Sequence, residues 1–268
     1  MRNPPDSIGP HHPPSDTNPR LYVILFHMAD SGNRDDLKLS LPLMRDSAHE
    51  CPYLPGRIAE DEFTIATELS PIEYERLMDR GFRRSGRIVY RPICDGCREC
   101  VPLRVPVERF SPSRSQRRAW RRNQDLQIEI GPPRSTDEKW RIFTDYLAYQ
   151  HDGAMSDERE GFDSFLYDSA TETVEFVYRA GERVVGVGIV DVCPNCLSSV
   201  FFYFDPAEAR RSLGVYSALY EIEMCRAWDR SYWYAGFYVR DCSRMNYKAD
   251  YRPYELLGSD GVWGENGE

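Results

Sequence analysis

Between Thr173 and Tyr238 the chain follows an order that narrows its fold. Three runs read as strands: Thr173 to Arg179, Arg183 to Val192 and Leu197 to Phe204. Gly181 marks a hairpin turn between the first two, and Cys193-Pro194-Asn195-Cys196 offers good turn residues between the second and third. A polar loop over Asp205 to Ser212 leads to a long amphipathic helix, expected from about Leu213 to Trp228. Tyr232 to Tyr238 reads as one more strand, and a short helical segment is expected near Ser243 to Ala249. Strands and helices in this order point to an α+β protein. No repeat recurs at the 20–50-residue periods of solenoids.

The first half has another character. Residues 1–20 are rich in Pro and polar side chains and are expected to be disordered; Met28 is an alternative start. Ser70-Pro71-Ile72-Glu73 is a capping box with Pro at the first helical position, opening a helix through Asp79 that Gly81 closes. Ile88 to Tyr90 reads as a strand ending at Arg91-Pro92. Val101 to Val107 alternates, but Pro102 and Pro106 predict an edge or irregular strand. Ser113 to Asn123 reads as a helix and Leu126 to Ile130 as a strand; a second capping box at Ser135 to Glu138 opens a helix to about His151. The expected organisation is an extension (1–37), a cysteine-containing N-terminal domain (38–134), a C-terminal domain (135–260) and a tail (261–268).

In a chain of 268 residues, 41% hydrophobic and 29% charged, a globular core is affordable. No apolar run approaches the ~18 residues of a membrane span. The longest candidate, Leu21 to Met28, also lacks the flanks of a secretory signal, so a cytoplasmic protein with no membrane partner is expected. The net charge of −9 argues against a generally basic nucleic-acid coat protein. Yet residues 80–122 hold 13 Arg and three acids, a local +10 that leaves −19 elsewhere.

Four groups of residues carry chemistry. Cys94, Cys97 and Cys100 stand in two overlapping C-x2-C spacings, with Cys51 as the natural fourth ligand for zinc or an iron–sulfur cluster. Spacing does not separate these two from a loop of free thiols. Cys193 and Cys196 share the metal spacing but suit a turn better. On a helix, Arg114, Arg117, Arg118, Arg121 and Arg122 share one face, and a face of one sign favours phosphate over an ordinary solvated surface. Arg211-Ser212-Leu213-Gly214 opens the long helix with a pattern resembling the pyrophosphate loop of the GNAT N-acetyltransferases, although Tyr216 would crowd coenzyme A there. Tyr238 to Pro253, dense in polar and aromatic residues after a strand, reads as an active-site rim or as a polar segment over the sheet.

Together these segments resemble the bacterial aspartate/glutamate leucyltransferases, relatives of the arginyl-tRNA–protein transferases. The resemblance is carried by Cys51 to Arg57, Tyr90-Arg91-Pro92 with the three cysteines, Val101 to Val105, Ser113 to Arg118, His151 to Met155, Phe204-Asp205-Pro206, Arg211 to Gly214, and Tyr247-Lys248-Ala249 with Arg252-Pro253. The Pro-rich extension and the Cys193–Cys196 pair depart from the pattern. The resemblance implies a GNAT-like C-terminal domain, a cysteine-bearing N-terminal α+β domain, and transfer of an amino acid from aminoacyl-tRNA to the N-terminal amine of a protein that begins with Asp or Glu, marking it for degradation. It implies leucyl-tRNA as donor and no coenzyme A, and it places Asp152, Gly153, Asp205, Ser212, Leu213 and Gly214 at the substrates.

The donor is an activated ester and the α-amine titrates near ~8, so proximity and carbonyl polarisation can supply most of the rate. Backbone N–H groups near Leu213 and Gly214 are expected to face the ester carbonyl, with Tyr238 or Asp241 relaying a proton. Arg104, Lys248 and Arg252 are the cations available to the acceptor's acid, and Arg114, Arg117 and Arg118 head the tRNA-facing surface. Rival readings are an arginyl donor, a GNAT acetyltransferase, and a non-enzymatic metal-binding RNA module.

Overall fold

The computed structural model describes residues 42–150 and 158–265, together with the backbone of Leu21 and Tyr22. The expectations for the rest of the extension, for Met28 and for Asp152 and Gly153 lie outside the described residues.

The N-terminal part begins with β1 (Leu21–Tyr22) and β2 (Leu43–Arg45); β3 (His49–Glu50) and β4 (Ile58–Ala59) pair as a separate ribbon. β5 (Asp61–Ile65), α1 (Pro71–Met78), β6 (Arg83–Ser85) and β7 (Ile88–Pro92) follow, giving a five-stranded sheet in the order β1-β2-β5-β7-β6. The capping box that opens α1 forms as the sequence implies: Ser70 N–H donates to the Glu73 carboxylate (2.8 Å) and Glu73 N–H to the Ser70 hydroxyl. Gly81, at φ +84°, lets Phe82 N–H reach back to the Leu77 carbonyl and ends the helix. Tyr74, Leu77 and Met78 form its buried stripe.

The larger part contains β8 (Val101–Pro106), α2 (Arg114–Arg122), β9 (Gln127–Gly131), α3 (Asp137–Gln150) and α4 (Arg159–Phe162), which runs into a π-helical turn over Asp163–Tyr167. Then come β10 (Thr173–Ala180), β11 (Arg183–Val192), β12 (Cys196–Phe204), α5 (Leu213–Ala227), β13 (Tyr232–Tyr238), β14 (Glu255–Leu257) and β15 (Trp263–Glu265). These strands form one eight-stranded sheet in the order β15-β14-β8-β13-β12-β11-β10-β9. Its one parallel pair is β12 with β13, joined by α5. This is the mixed α+β layout that the sequence implies, with the strands and the long helix in the order expected between Thr173 and Tyr238. Phe201 and Tyr203 of β12 meet Phe143 of α3, while Phe202 points the other way to Tyr178, which faces Tyr216 and Tyr220 of α5.

Several expectations are corrected. β8 and β9, assigned to the N-terminal domain, belong to the large sheet, and Trp263–Glu265 is a strand of that sheet rather than a tail. β8 is not an edge strand but an irregular one: Pro106 and Pro102 stand in register with Tyr232 and Phe237 of β13 across a bulge between Tyr234 and Gly236, while β14 pairs with β8 only at Arg104 and Leu103. The second capping box does not form, and the cap moves by one residue to Thr136. Thr136 accepts from Lys139 N–H, while the Ser135 hydroxyl turns to Asp163 and Glu138 accepts from Val184 N–H. The polar loop before α5 is a 3-10 turn over Pro206–Arg211, and Asp205 caps it by accepting from Ala207 N–H.

The two sheets share a core. Tyr74, Leu77, Phe82 and Val89 pack with Cys193, Cys196 and Tyr234 of the large sheet. Arg84 crosses the junction to Asp191, both side chains buried. Glu75 of α1 holds the hairpin tip, accepting from Asn195 N–H (3.0 Å) and its side-chain amide (2.9 Å). Cys193 N–H donates to the Cys196 carbonyl, which confirms the turn expected there.

Candidate active site

A parallel pair of strands that stops pairing exposes backbone groups on both facing edges. β12 and β13 pair at Cys196, Leu197 and Ser198 with Tyr232, Trp233 and Tyr234, and then separate. Each strand carries an extra residue where they part: Val200 against β11 and Ala235 against β8. Bulges of this kind bend a strand and re-aim its side chains. The carbonyls freed by the split find cationic donors. Arg83 of β6 donates from Nη2 to the Ser199 carbonyl (2.8 Å), and Lys248 donates from Nζ to the Phe237 carbonyl (2.7 Å).

A cavity of about 30 Å³ lies in this split, bounded by Arg83, Arg84, Tyr74, Tyr90, Phe237 and Met245 among others. It is closed from the N-terminal side by β6, β7 and α1, so the site belongs to both halves of the chain. Burial pushes the Tyr74 and Tyr90 hydroxyls up, and both remain protonated donors. Gly236, at φ +89°, sits at the centre. A Cβ there would stand 3.4 Å from Lys248 Nζ and 3.8 Å from Arg83 Nη2, so the two cations approach one point.

Behind Phe237 and Met245, a small apolar group with Leu54, Val239 and Cys242 supports Cys51 and Cys100. Burial, and then the neighbouring thiols of Cys51, Cys94 and Cys97, push the Cys100 thiol up. Arg57 donates to Cys97 Sγ at 3.4 Å, and Cys94 Sγ to the Glu60 carbonyl. Cys51, Cys94 and Cys97 are thus near enough to raise the Cys100 thiol, but no three of the four sulfurs lie within 4.8 Å of one another. Among the described residues, the sets with three ligand atoms within 4.8 Å of one another are Glu75-Cys193-Cys196 and Asp46-His49-Asp61. Four thiols are a donor set that suits zinc or an iron–sulfur cluster.

α2 stands beside the start of α5. Trp120 packs on Tyr216 and Tyr220, and Asn123 donates to the Arg211 carbonyl (2.9 Å). Arg122 reaches the Arg210 carbonyl and the Ser212 hydroxyl (3.5 Å). The buried side of α2 is Gln116 and Ala119, while Arg114, Arg117, Arg118, Arg121 and Arg122 are exposed as the periodicity implies. Among the described residues none of these five arginines enters an ion pair.

Residues 49–118 match the family described as arginine-tRNA-protein transferase, N terminus, and residues 138–258 its C terminus. The chain is 39% identical over 222 residues to an aspartate/glutamate leucyltransferase of Saccharophagus degradans, covering 81% of this chain and 94% of that protein. It is 39% identical over 218 residues to the enzyme of the same name from Thiobacillus denitrificans, covering 80% and 90%. The chain belongs to the aspartate/glutamate leucyltransferase family. Among solved structures it is similar to the C-terminal domain of a putative lysylphosphatidylglycerol synthetase from Agrobacterium fabrum (14% identical, TM-score 0.46, 73% of this chain and 68% of that one). It is also similar to FemX (9% identical, TM-score 0.40, 72% and 79%).

For this leucyltransferase-family chain the expected site residues separate. Lys248 reaches the split, and its side chain is buried. Tyr238 ends β13 and packs towards Tyr254; Asp241 stands exposed on the turn that follows. Ser212, in the left-handed region at φ 58°, the buried Leu213 and the half-buried Gly214 start α5, where the first N–H groups of a helix lack intrahelical partners. Arg104 is elsewhere. It is held by Glu255 (2.7 Å) and the Tyr234 hydroxyl and lies over the rings of Tyr232 and Trp263, which leaves no face for an acceptor. Arg252 is exposed and donates to the Ala249 carbonyl. Asp205 is spent on its turn and on Arg183. Tyr216 does not crowd the start of α5; its ring is buried among Trp120, Tyr178 and Tyr220 because it lies on the inward side of the helix. Arg83 and Tyr74 were not legible as site residues. The one sequence signal was an arginine pair in a strand of three residues between Gly81 and Gly86.

No helix among the described residues is long and apolar enough to cross a membrane.

Proposed function

We propose that the protein is an aminoacyltransferase that moves leucine from leucyl-tRNA to the N-terminal amine of proteins beginning with Asp or Glu. The observation that carries this reading is the match to aspartate/glutamate leucyltransferases over four fifths of the chain, through both the cysteine-bearing and the sheet-bearing halves. Dependence on charged tRNA assigns the protein to the cytoplasm.

The α-amine attacks the ester carbonyl; the new C–N bond forms, the bond to the ribose oxygen breaks, and the amine's proton ends on the released ribose hydroxyl. An amine with a pKa of about 8 is partly neutral already, so holding the two reactants together supplies most of the acceleration. Free N–H groups at the start of α5 are suited to the developing negative oxygen. The exposed arginines of α2, next to that start, are suited to the phosphates of the acceptor stem, which are read by shape and charge. Asp241 and Tyr238, at and just after the end of β13, are the side chains assigned to passing a proton. Cys51, Cys94, Cys97 and Cys100 would hold a zinc ion or an iron–sulfur cluster, which would supply a cross-link bracing the wall behind Phe237.

The test is direct. Purified protein is incubated with leucyl-tRNA, arginyl-tRNA or acetyl-coenzyme A and with peptides that begin with Asp, Glu or Lys, and the products are weighed. A gain of one leucine on the Asp and Glu peptides alone is expected. A gain of arginine would transfer the reading to an arginyl donor, and an acetyl gain would overturn it.

A further inference from the structure

We infer that the cavity in the β12–β13 split receives the side-chain carboxylate of the acceptor's N-terminal residue, bound by the Arg83 guanidinium and the Tyr74 hydroxyl. The inference rests on the transfer proposed above and adds what selects the acceptor.

Arg83 and Arg84 are neighbours on one three-residue strand, both buried, and their surroundings differ. Arg84 meets Asp191 through Nε (2.8 Å) and Nη2. The partners of Arg83 among the described residues are Met78 Sδ (3.3 Å) and the Ser199 carbonyl (2.8 Å), neither of them charged. Arg83 is only 7% exposed. A guanidinium taken out of water without an anion is costly, and three of its five N–H donors remain for one. Tyr74 adds an independent sign. It is fully buried, and its hydroxyl has no hydrogen-bond partner among the described residues. An unpaired buried hydroxyl is costly too. Both side chains bound the same cavity.

The ligand that answers both donors is small, anionic and planar. A carboxylate presents two oxygens, one for the guanidinium edge and one for the hydroxyl. About 30 Å³ has room for such a group and little more. In an N-terminal Asp, three bonds separate the carboxyl carbon from the α-nitrogen, so anchoring the carboxylate fixes the amine a few ångströms away, at the mouth of the split. Glu adds one methylene. Asn and Gln would offer one acceptor oxygen in place of two and set an N–H2 against a guanidinium that only donates, and a site of unpaired polar groups rejects such ligands strongly.

The experiment measures kcat/KM for peptides beginning with Asp, Glu, Asn and Gln, with leucyl-tRNA as donor, in the full chain and in Arg83→Met and Tyr74→Phe. Thermal unfolding checks each variant. The expected result for Arg83→Met is a loss of at least 100-fold for Asp and Glu, less than threefold for Asn and Gln, and an unchanged KM for leucyl-tRNA. Tyr74→Phe, which keeps the ring, should lower the Asp-to-Asn ratio about tenfold. Equal losses on acidic and amide peptides, or an intact ratio in Tyr74→Phe, would overturn the assignment. Calorimetric binding of an Asp-initiated peptide without tRNA separates the two levels. Binding that Arg83→Met abolishes, in a protein that transfers no leucine, would keep the cavity and remove the leucyl reading. Leucine transfer with the ratio intact in both variants would do the reverse.

Discussion

The β6–β7 hairpin and helix α2 draw their arginines from one +10 stretch of sequence, and they use them in opposite ways. In the hairpin, Arg84 joins Asp191, Arg87 joins Asp168 (2.6 Å) and Arg91 joins Glu62. Their charge is spent on bringing the two sheets together and fixing strand to strand. On α2 the five arginines point to solvent and pair with no carboxylate among the described residues. The difference follows from periodicity. A strand of period two sends successive arginines into both of its flanks, whereas positions i, i+3, i+4, i+7 and i+8 of a helix gather on one side. A local sum of charge in sequence therefore overstates the basic surface, and Arg83 shows a third use, a buried cation kept for a ligand.

The comparison predicts its largest effect at the paired end. Asp191 is fully buried, accepting from Arg84 and from Thr173 Oγ1 (2.7 Å). Asp191→Asn leaves the Arg84 guanidinium buried without its anion and should cost roughly 3–5 kcal/mol in urea unfolding. Replacing the pair together, Arg84→Met with Asp191→Leu, should recover most of that. A loss under about 1 kcal/mol in Asp191→Asn would mean that the hairpin arginines are as loosely held as those of α2.

The next effect concerns a buried acid that has no arginine. Glu221 of α5 accepts from Trp233 Nε1 (2.8 Å) and the Ser217 hydroxyl (3.0 Å), and burial pushes its carboxyl up to about 7. Where the folded pKa lies above the unfolded one, the native state binds the extra proton in between. Stability from this group is complete below about pH 4.5 and is lost as the pH rises to about 7. At about 1.4 kcal/mol per pKa unit, the fall amounts to roughly 3 kcal/mol. Burial also pushes the Asp61 carboxyl up to about 7, so Glu221→Gln should remove only the Glu221 share of the slope, whatever constant offset its amide introduces. A wild-type curve that is flat over this window, measured by urea unfolding from pH 4.5 to 8, would show that neighbouring hydrogen bonds hold Glu221 ionised.

Which parts were legible in the sequence follows the range of the interactions involved. The capping box at Ser70, the hairpin at Gly181 and the strands Arg183–Val192 and Tyr232–Tyr238 rest on neighbours within a few residues, and the structure matches them closely. The exposed face of α2 follows from local periodicity in the same way. The place of β8 in the sheet depends on β14, more than 140 residues away, which no local pattern in Val101–Pro106 announces. Arg104 looked available because its partners Glu255, Tyr234 and Trp263 are all distant in sequence. Arg83 was hidden for the converse reason. Its neighbours Ser199 and Gly236 are brought to it only by the docking of one sheet on the other. Chemistry written in one segment was readable, and chemistry made by the split between two strands was not.

The smallest effect on folding is expected at the exposed end, and it tests whether exposure there has a purpose. Arg117→Glu with Arg118→Glu leaves the buried side of α2 and its Ser113–Gln116 capping box untouched, so the unfolding midpoint should scarcely move. The KM for leucyl-tRNA should nevertheless rise about tenfold, because two phosphate contacts become repulsive. The slope of log affinity against log salt should flatten by roughly 1.4–1.8, since each lost contact removes about 0.7–0.9 from it. The KM for an Asp-initiated peptide should stay as it was, because the acceptor cavity lies under β6 and not under α2. An unchanged KM for tRNA would make the α2 arginines an ordinary solvated surface. The contrast with the hairpin would then be one of burial alone, with no division of labour between folding and substrate.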